Sequence, residues 1–447
     1  MPYLGNTPTT QSFISGTDYF NGTGSQTAFT LSRTVASIND IQVTVNNVVQ
    51  QPNDAYTISG TTLTMTSAPS AGTNNVYVRY LSTTTQAITP SQGTVGWAQL
   101  NADTQQDLGI SYKNRIINGN MVIDQRNAGA SVTPTTGVYT LDRWLAAAYS
   151  ASSKFSVQQN AGSVTPPVGF SNYLGVTSLS AYSVSASDFL SMIQSIEGYN
   201  IADLNWGTAN AKTVTLSFQV RSSLTGTFGG AVSNTDGTRS YPFTYTISSA
   251  NTWTSISVTI AGDTTGTWNT TNGVGLQLKI GLGIGSTYSG TAGAWAGANY
   301  FSATGAVSVV GTNGATFYIT GVQLEVGTQA TTFTTAGGSY GAELSLCQRY
   351  FQTFIINSYS YAGNTFGTND ARTTIPLLVS MRTAPTGITI IGTVAFTTAG
   401  GSTNGTPTFH NATINQISIL SGASGYAAAG GSSSLTGGGT IQVSTEL

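Results

Sequence analysis

The sequence predicts a mainly β protein. It reads as a small antiparallel β domain, a short helical stem, a jelly-roll-like β-sandwich, and a C-terminal β domain entered by a short helix. Three observations predict this. Strong helix formers are scarce, while Thr, Val, Ile and Tyr are abundant, which favours strands. Glycine reaches 53 of 447 residues, well above the usual ~7%, and punctuates the chain as turns. Apolar residues recur with period two over many short stretches. Hydrophobic content of 39%, with 10% aromatic, is enough to build real cores.

The first predicted domain covers residues 1–84. Ile41, Val43 and Val45 alternate and end at an Asn46-Asn47 turn. Tyr56 and Ile58 follow, then Gly60, then Leu63 and Met65; a loop over 69–75 leads to Val76, Val78 and Tyr80. In residues 85–112 the alternation stops, and a short helix is expected near 97–106, too short to persist without partners. Residues 113–335 carry short strands at sandwich-like spacing, expected over 153–158, 214–220, 241–247, 255–260, 275–280 and 316–325. Residues 187–196 read as a short helix. The last domain, 336–447, opens with a helix over 340–347 and continues with strands over 349–356, 375–380, 387–396, 413–419 and 441–445. Two of its segments read as loops: 357–370, and the Gly/Ser-rich tract 421–439.

Charge narrows the function. Only 7% of residues are charged, against about 25% in an ordinary domain, and the net charge is -2. With no Lys/Arg excess there is nothing to neutralise phosphates, so nucleic-acid binding is not expected. No apolar run approaches the ~20 residues of a membrane span, so no membrane insertion is expected. A single cysteine, Cys347, allows no disulfide within a chain. The N-terminus shows no signal peptide, which fits synthesis in a host cytoplasm.

Catalytic motifs are present only in outline. Gly337-Gly338-Ser339-Tyr340-Gly341 fits the nucleophile-elbow pattern, with Asp370 and His410 following in order. No strand–elbow–helix context surrounds it, so it reads as a hinge. His410 is the one histidine, which excludes a His/Cys metal cluster within one chain; no metal and no cofactor is expected. Gly281-Leu282-Gly283-Ile284-Gly285 has the wrong spacing for a dinucleotide loop and reads as a turn or bulge. Asp124, Arg126, Asp142 and Arg143 lie close in sequence and read as structural ion pairs rather than a catalytic dyad. No catalytic residue is assigned. The more promising chemistry is aromatic. Tyr359, Tyr361 and Phe366, with Asn364 and Asp370 beside them, and Trp268 and Trp295 in Gly/Thr/Asn-rich surroundings, suit the C–H faces and hydroxyls of a sugar.

Several stretches resemble a known family. Lys113-Asn114-Arg115-Ile116-Ile117-Asn118-Gly119-Asn120-Met121, then Asp124-Gln125-Arg126 and Leu141-Asp142-Arg143-Trp144, resemble the start of a β-sandwich module of bacteriophage tail fibres and receptor-binding proteins. Gly321-Val322-Gln323-Leu324-Glu325-Val326-Gly327 with Ala330-Thr331-Thr332-Phe333 is similar to that module's closing strand. Tyr340-Gly341-Ala342-Glu343-Leu344, Leu346-Cys347-Gln348-Arg349-Tyr350-Phe351 and Met381-Arg382-Thr383-Ala384-Pro385-Thr386 resemble the C-terminal domain that follows it. Residues 43–49 and 56–64 are similar to the virion-attachment domain of podovirus tail fibres. The resemblance implies a homotrimer on the virion tail. Its N-terminus would meet tail or adaptor proteins, and its distal β domains would adhere to host cell-surface polysaccharide. It carries over no catalytic residue. A glycan-cleaving depolymerase fibre and a purely structural tail accessory protein are the alternatives.

Overall fold

The computed structural model describes residues 16–81, 113–149, 151–398, 403–423, 426 and 429–447. The stem expected over 85–112, with its short helix, lies outside them. The chain divides into two compact units, Met1–Gln99 and Leu100–Leu447.

The first unit is built from two antiparallel sheets. One has the order Thr17–Gly22, Gly72–Tyr80, Ile41–Val45, Val48–Val49; the other is Ala28–Thr30, Thr62–Met65, Tyr56–Ser59. The period-two residues Val43, Val76, Val78 and Leu63 are fully buried between them. Asn46 and Asn47 sit at φ 48° and 65°, the left-handed pair that a two-residue hairpin needs and that Asn tolerates. The last strand starts at Gly72, inside the expected loop.

The second unit holds a sandwich and a C-terminal β region. The sandwich packs a five-stranded sheet (Phe155–Gln159, Leu174–Ser178, Thr316–Val326, Val214–Ser222, Thr254–Ile260) on a six-stranded one (Ser240–Ile247, Gly226–Ser233, Val274–Ile284, Phe189–Glu197, Trp144–Tyr149, Gly137–Leu141). Val214, Leu216, Phe218 and Val220 supply one inner face, and Leu276, Leu278, Ile280 and Leu282 the other. The expected helix over 187–196 is instead the strand Phe189–Glu197, flanked by strands on both sides. Almost all of it is buried on both faces, so its apolar run carries no period-two signal; pairing overrides local pattern. Gly281–Gly285 belongs largely to a long strand; Leu282 bulges out of the pairing with Leu190 and Ser191.

The stretches that resemble the fibre family are hydrogen-bonded hubs. Asn114 donates to the carbonyls of Val322 and Thr334 (3.1 and 2.9 Å) and accepts from the amides of Ile116 and Leu324 (2.9 and 3.1 Å). It thereby staples the opening segment to the closing strand. Gly119 lies so close to that strand that a Cβ would stand 2.1 Å from the Val322 carbonyl oxygen. Glu325 folds the segment after it, accepting from the Thr331 amide and hydroxyl (both 2.8 Å) and pairing with Lys113 (3.2 Å).

The helix Tyr340–Gln348 leads into the C-terminal region, with the Ser339 hydroxyl capping it at Ala342. A three-stranded sheet (Phe351–Ile355, Thr440–Ser444, Thr389–Ile391) and a seven-stranded sheet enclose a second core around Phe354, Ile375, Phe396, Ile419 and Leu435. Two expected loops are strands. Residues 357–370 contain Ser360–Gly367, and the Gly/Ser-rich tract contains Ser432–Gly437, which pairs with Ser360–Gly367 and Val394–Thr398. Ser and Gly read as linker, but alternate serines lie on one face while Leu435 enters the core.

Candidate functional site

The clumped charges are internal. Arg126 and Arg143 both bond the Glu446 carboxylate, Arg126 at 2.7 Å. The Arg143 guanidinium lies over the Tyr350 ring at 3.5 Å and that of Arg126 over Phe351 at 3.8 Å. Asp142 accepts from the Gln125 amide (2.7 Å) and side chain (2.6 Å) rather than from its neighbouring arginine. Asp124 closes a turn on the amides of Asn127 and Gly129. Burial raises the Asp142 carboxyl and brings Arg126 down to about 10. Glu446, about three hundred residues from its partners in sequence, gave no local signal. Nearby, Glu197 takes two bonds from Arg349 (2.9 and 2.6 Å) and one from the Tyr350 hydroxyl (2.6 Å). Burial alone would raise Glu197, but these bonds hold it below the usual carboxylate range.

Trp268 and Trp295 are committed to packing. With Trp206 they form three rings at near right angles, centroids 4.7–5.5 Å apart. Each indole N–H donates to a backbone carbonyl: Trp206 to Lys212, Trp268 to Thr265, Trp295 to Ala261. Trp268 is buried, so it offers no open face; Trp295 is half-buried, with the Asp263-bound Arg239 guanidinium 5.9 Å from its ring. The cluster clasps three loops together.

The aromatics of the C-terminal sheet divide by position. Tyr359 is 73% exposed at φ 58°, a strained backbone for a bulky side chain. Tyr361, at φ 51° in a β-bulge, turns its ring edge-on to Phe354 and packs against the core. Phe366 sits in a second bulge and is 58% exposed. Bulges re-aim side chains, and here one aromatic goes inward and the other out. At about 3.3 Å per residue, Tyr359 and Phe366 lie on the order of 20 Å apart along the strand. Only Phe366 shares its surroundings with the other expected residues. Arg372, not singled out by sequence, lies with its guanidinium 4.9 Å from the Phe366 ring centroid and binds Asp370 through Nη2 (2.6 Å) and Nε (3.1 Å). Asn364 is the exposed cross-strand neighbour of Arg372. The bonds from Arg372 hold Asp370 below the usual carboxylate range, with His410 adding a weaker pull the same way.

A second aromatic group lies outside the sandwich core, against the six-stranded sheet. Phe189 contacts Tyr149, Tyr288 and Phe301 at 5.1, 4.9 and 4.4 Å, and Tyr149 remains substantially exposed. Beneath Phe301 lies the buried Lys279. A helix over 187–196 would not gather this group; the strand Phe189–Glu197 does. Ser339 of the elbow-like motif is occupied as a helix cap. Among the described residues, no three His, Cys, Asp or Glu side chains gather as metal ligands.

No known protein family matches the chain, and no curated protein matches it in sequence. Solved structures give weak likenesses. The enzymatically active domain of tailspike protein 4 from bacteriophage CBA120 is 12% identical over 48% of this chain and 22% of that chain, with a TM-score of 0.26. A family 11 carbohydrate-binding module of a Clostridium thermocellum cellulosomal cellulase is 11% identical over 46% of this chain and 99% of its own, with a TM-score of 0.22. A CBM4 structure is 14% identical over 47% of this chain and 98% of that one, with a TM-score of 0.24. This chain thus spans about a fifth of the tailspike structure. At such TM-scores nothing of ligand or activity transfers from these proteins.

Proposed function

We propose that this protein is a phage virion tail fibre or receptor-binding protein. It docks to the tail through its N-terminal β domain and adheres to host surface glycan through its C-terminal β region. The observation that carries the adhesion is Phe366. It is an apolar ring aimed into solvent by a bulge, steadied by Arg372 and rimmed by Asn364 and Asp370. An aromatic face among hydroxyl- and amide-binding groups is what a pyranose surface requires. The motif resemblance over 113–144 and 321–351 supports the fibre assignment. The scarcity of charge supports contacts made by hydrogen bonds and ring faces rather than by long-range attraction.

The test is adsorption of the purified full chain to a panel of bacterial strains and to their extracted surface polysaccharides. Phe366→Ala is expected to lower adsorption at least about tenfold, the loss of one stacking anchor, with an unchanged melting temperature. Tyr359→Ala, at the far end of the strand, measures whether the surface extends that far. Undiminished adsorption by both variants removes this sheet from the binding site.

A further inference from the structure

We propose that Arg372 and Asp370 form a clamp for the vicinal diol of an uncharged pyranose, with Phe366 as its floor. This rests on the adhesion reading above and names the ligand class.

The pair stands apart from the protein's other ion pairs. Among the described residues, the other close pairs bury Glu325, Glu446, Asp263 or Glu197, except Arg115–Asp203, in which Arg115 is 11% and Asp203 49% exposed. The long Lys212 contact at 4.0 Å only adds to Asp203, which Arg115 already holds. Arg372 and Asp370 meet at 2.6 Å with side chains 38% and 30% exposed. An exposed pair adds only about 0–1 kcal/mol to stability. A chain that withdraws most of its paired charges from solvent has placed a close pair, both partners open, on a sheet face beside its exposed Phe366.

The hydrogen-bonding capacity of the pair points outward. Arg372 uses Nε and Nη2 on Asp370, and Nη1 has no partner among the described residues. Asp370 Oδ2 accepts from both Nε and Nη2, while Oδ1 accepts from Nε alone and retains a further acceptor site. One ion pair therefore carries both an unused donor, Nη1, and an unused acceptor site, on Oδ1. Neighbouring ring hydroxyls match them: one donates to the carboxylate while the next accepts from the guanidinium. Both bonds are charge-assisted. Phe366, with Arg372 near one part of its ring, still exposes apolar surface to the sugar's C–H face. The Asn364 amide, cross-strand from Arg372, reaches the next polar group. Charge selects the class. The two formal charges cancel, so a uronate or sialate gains from Arg372 but meets the Asp370 carboxylate, and that repulsion favours uncharged rings.

The test uses the full chain on an array carrying neutral hexopyranose oligosaccharides beside uronate- and sialate-bearing ones, and on cells of an adsorbing strain before and after mild periodate oxidation, which cleaves vicinal diols. Binding is expected to fall mainly on neutral glycans and to be lost after periodate. Arg372→Gln and Asp370→Asn should each weaken it about 10- to 100-fold, the loss of a hydrogen bond to a charged group. Melting temperatures should stay within a degree or two of wild type, as befits an exposed pair. Three results overturn the clamp while leaving adhesion intact: preference for acidic glycans, binding that survives periodate, or loss with Tyr149→Ala but not with Arg372→Gln. A wild-type chain that binds no cell and no glycan overturns the adhesion reading itself, and the clamp with it.

Discussion

Lys279 is buried on the six-stranded sheet with its ammonium 2.9 Å from the Asn299 amide oxygen and 3.9 Å from the Phe301 centroid. Neither partner carries a compensating charge. Burial therefore brings its pKa from the ordinary 10.5 down to about 7. The unfolded chain holds this proton more tightly than the folded one between those values. Stability is expected to rise as pH climbs from about 7 toward 10.5, with the full penalty present below 7. Lys279→Met keeps an unbranched chain one atom shorter and removes the charge. It should raise stability at pH 6 by on the order of 2–5 kcal/mol and flatten that rise relative to wild type, read by chemical denaturation at pH 6, 8 and 10. A variant no more stable at pH 6 would mean that the amine is solvated in place.

At the scale of elements, the connection between sandwich and C-terminal region depends on the segment around Glu446. Its carboxylate holds two buried guanidiniums, and Arg382 bonds the carbonyls of Thr445, Glu446 and Asn272. Removing one partner of a buried ion pair leaves an uncompensated charge. Glu446→Gln is expected to cost about 3–5 kcal/mol, measured as a shift of the denaturation midpoint, where a surface glutamate would shift it little. What sequence revealed follows the same physics. Strands with one wet face, such as Ile41–Val45 and Val214–Ser222, announced themselves by alternation. Phe189–Glu197, buried on both faces, did not, and Ser432–Gly437 was masked by its serines and glycines. At the candidate site Phe366, Asn364 and Asp370 were legible as a local cluster of chemistry. Arg372 was not singled out, because its importance lies in the hairpin that folds it back over Phe366. Tyr359 and Phe366 looked like one loop only because their separation along a strand was invisible.

At the scale of the whole molecule, the fibre reading expects three copies. Native mass measurement should give three times the 46.1 kDa chain, and dissociation should accompany loss of adhesion through lost multivalency. A monomeric mass with undiminished adsorption would detach adhesion from assembly. The second unit has a further property written into its longest bonds. Arg143 is separated from Glu446 by 303 residues, and Asn118 from Glu343 by 225. On a ribosome adding about 5–20 residues per second, Arg143 emerges roughly 15–60 s before the carboxylate that will neutralise it. Until then Arg126 and Arg143 lack the carboxylate that they bond in the fold. The segment around Glu446 therefore acts as the latch on the first part of this unit, whose folding waits for that segment to be made.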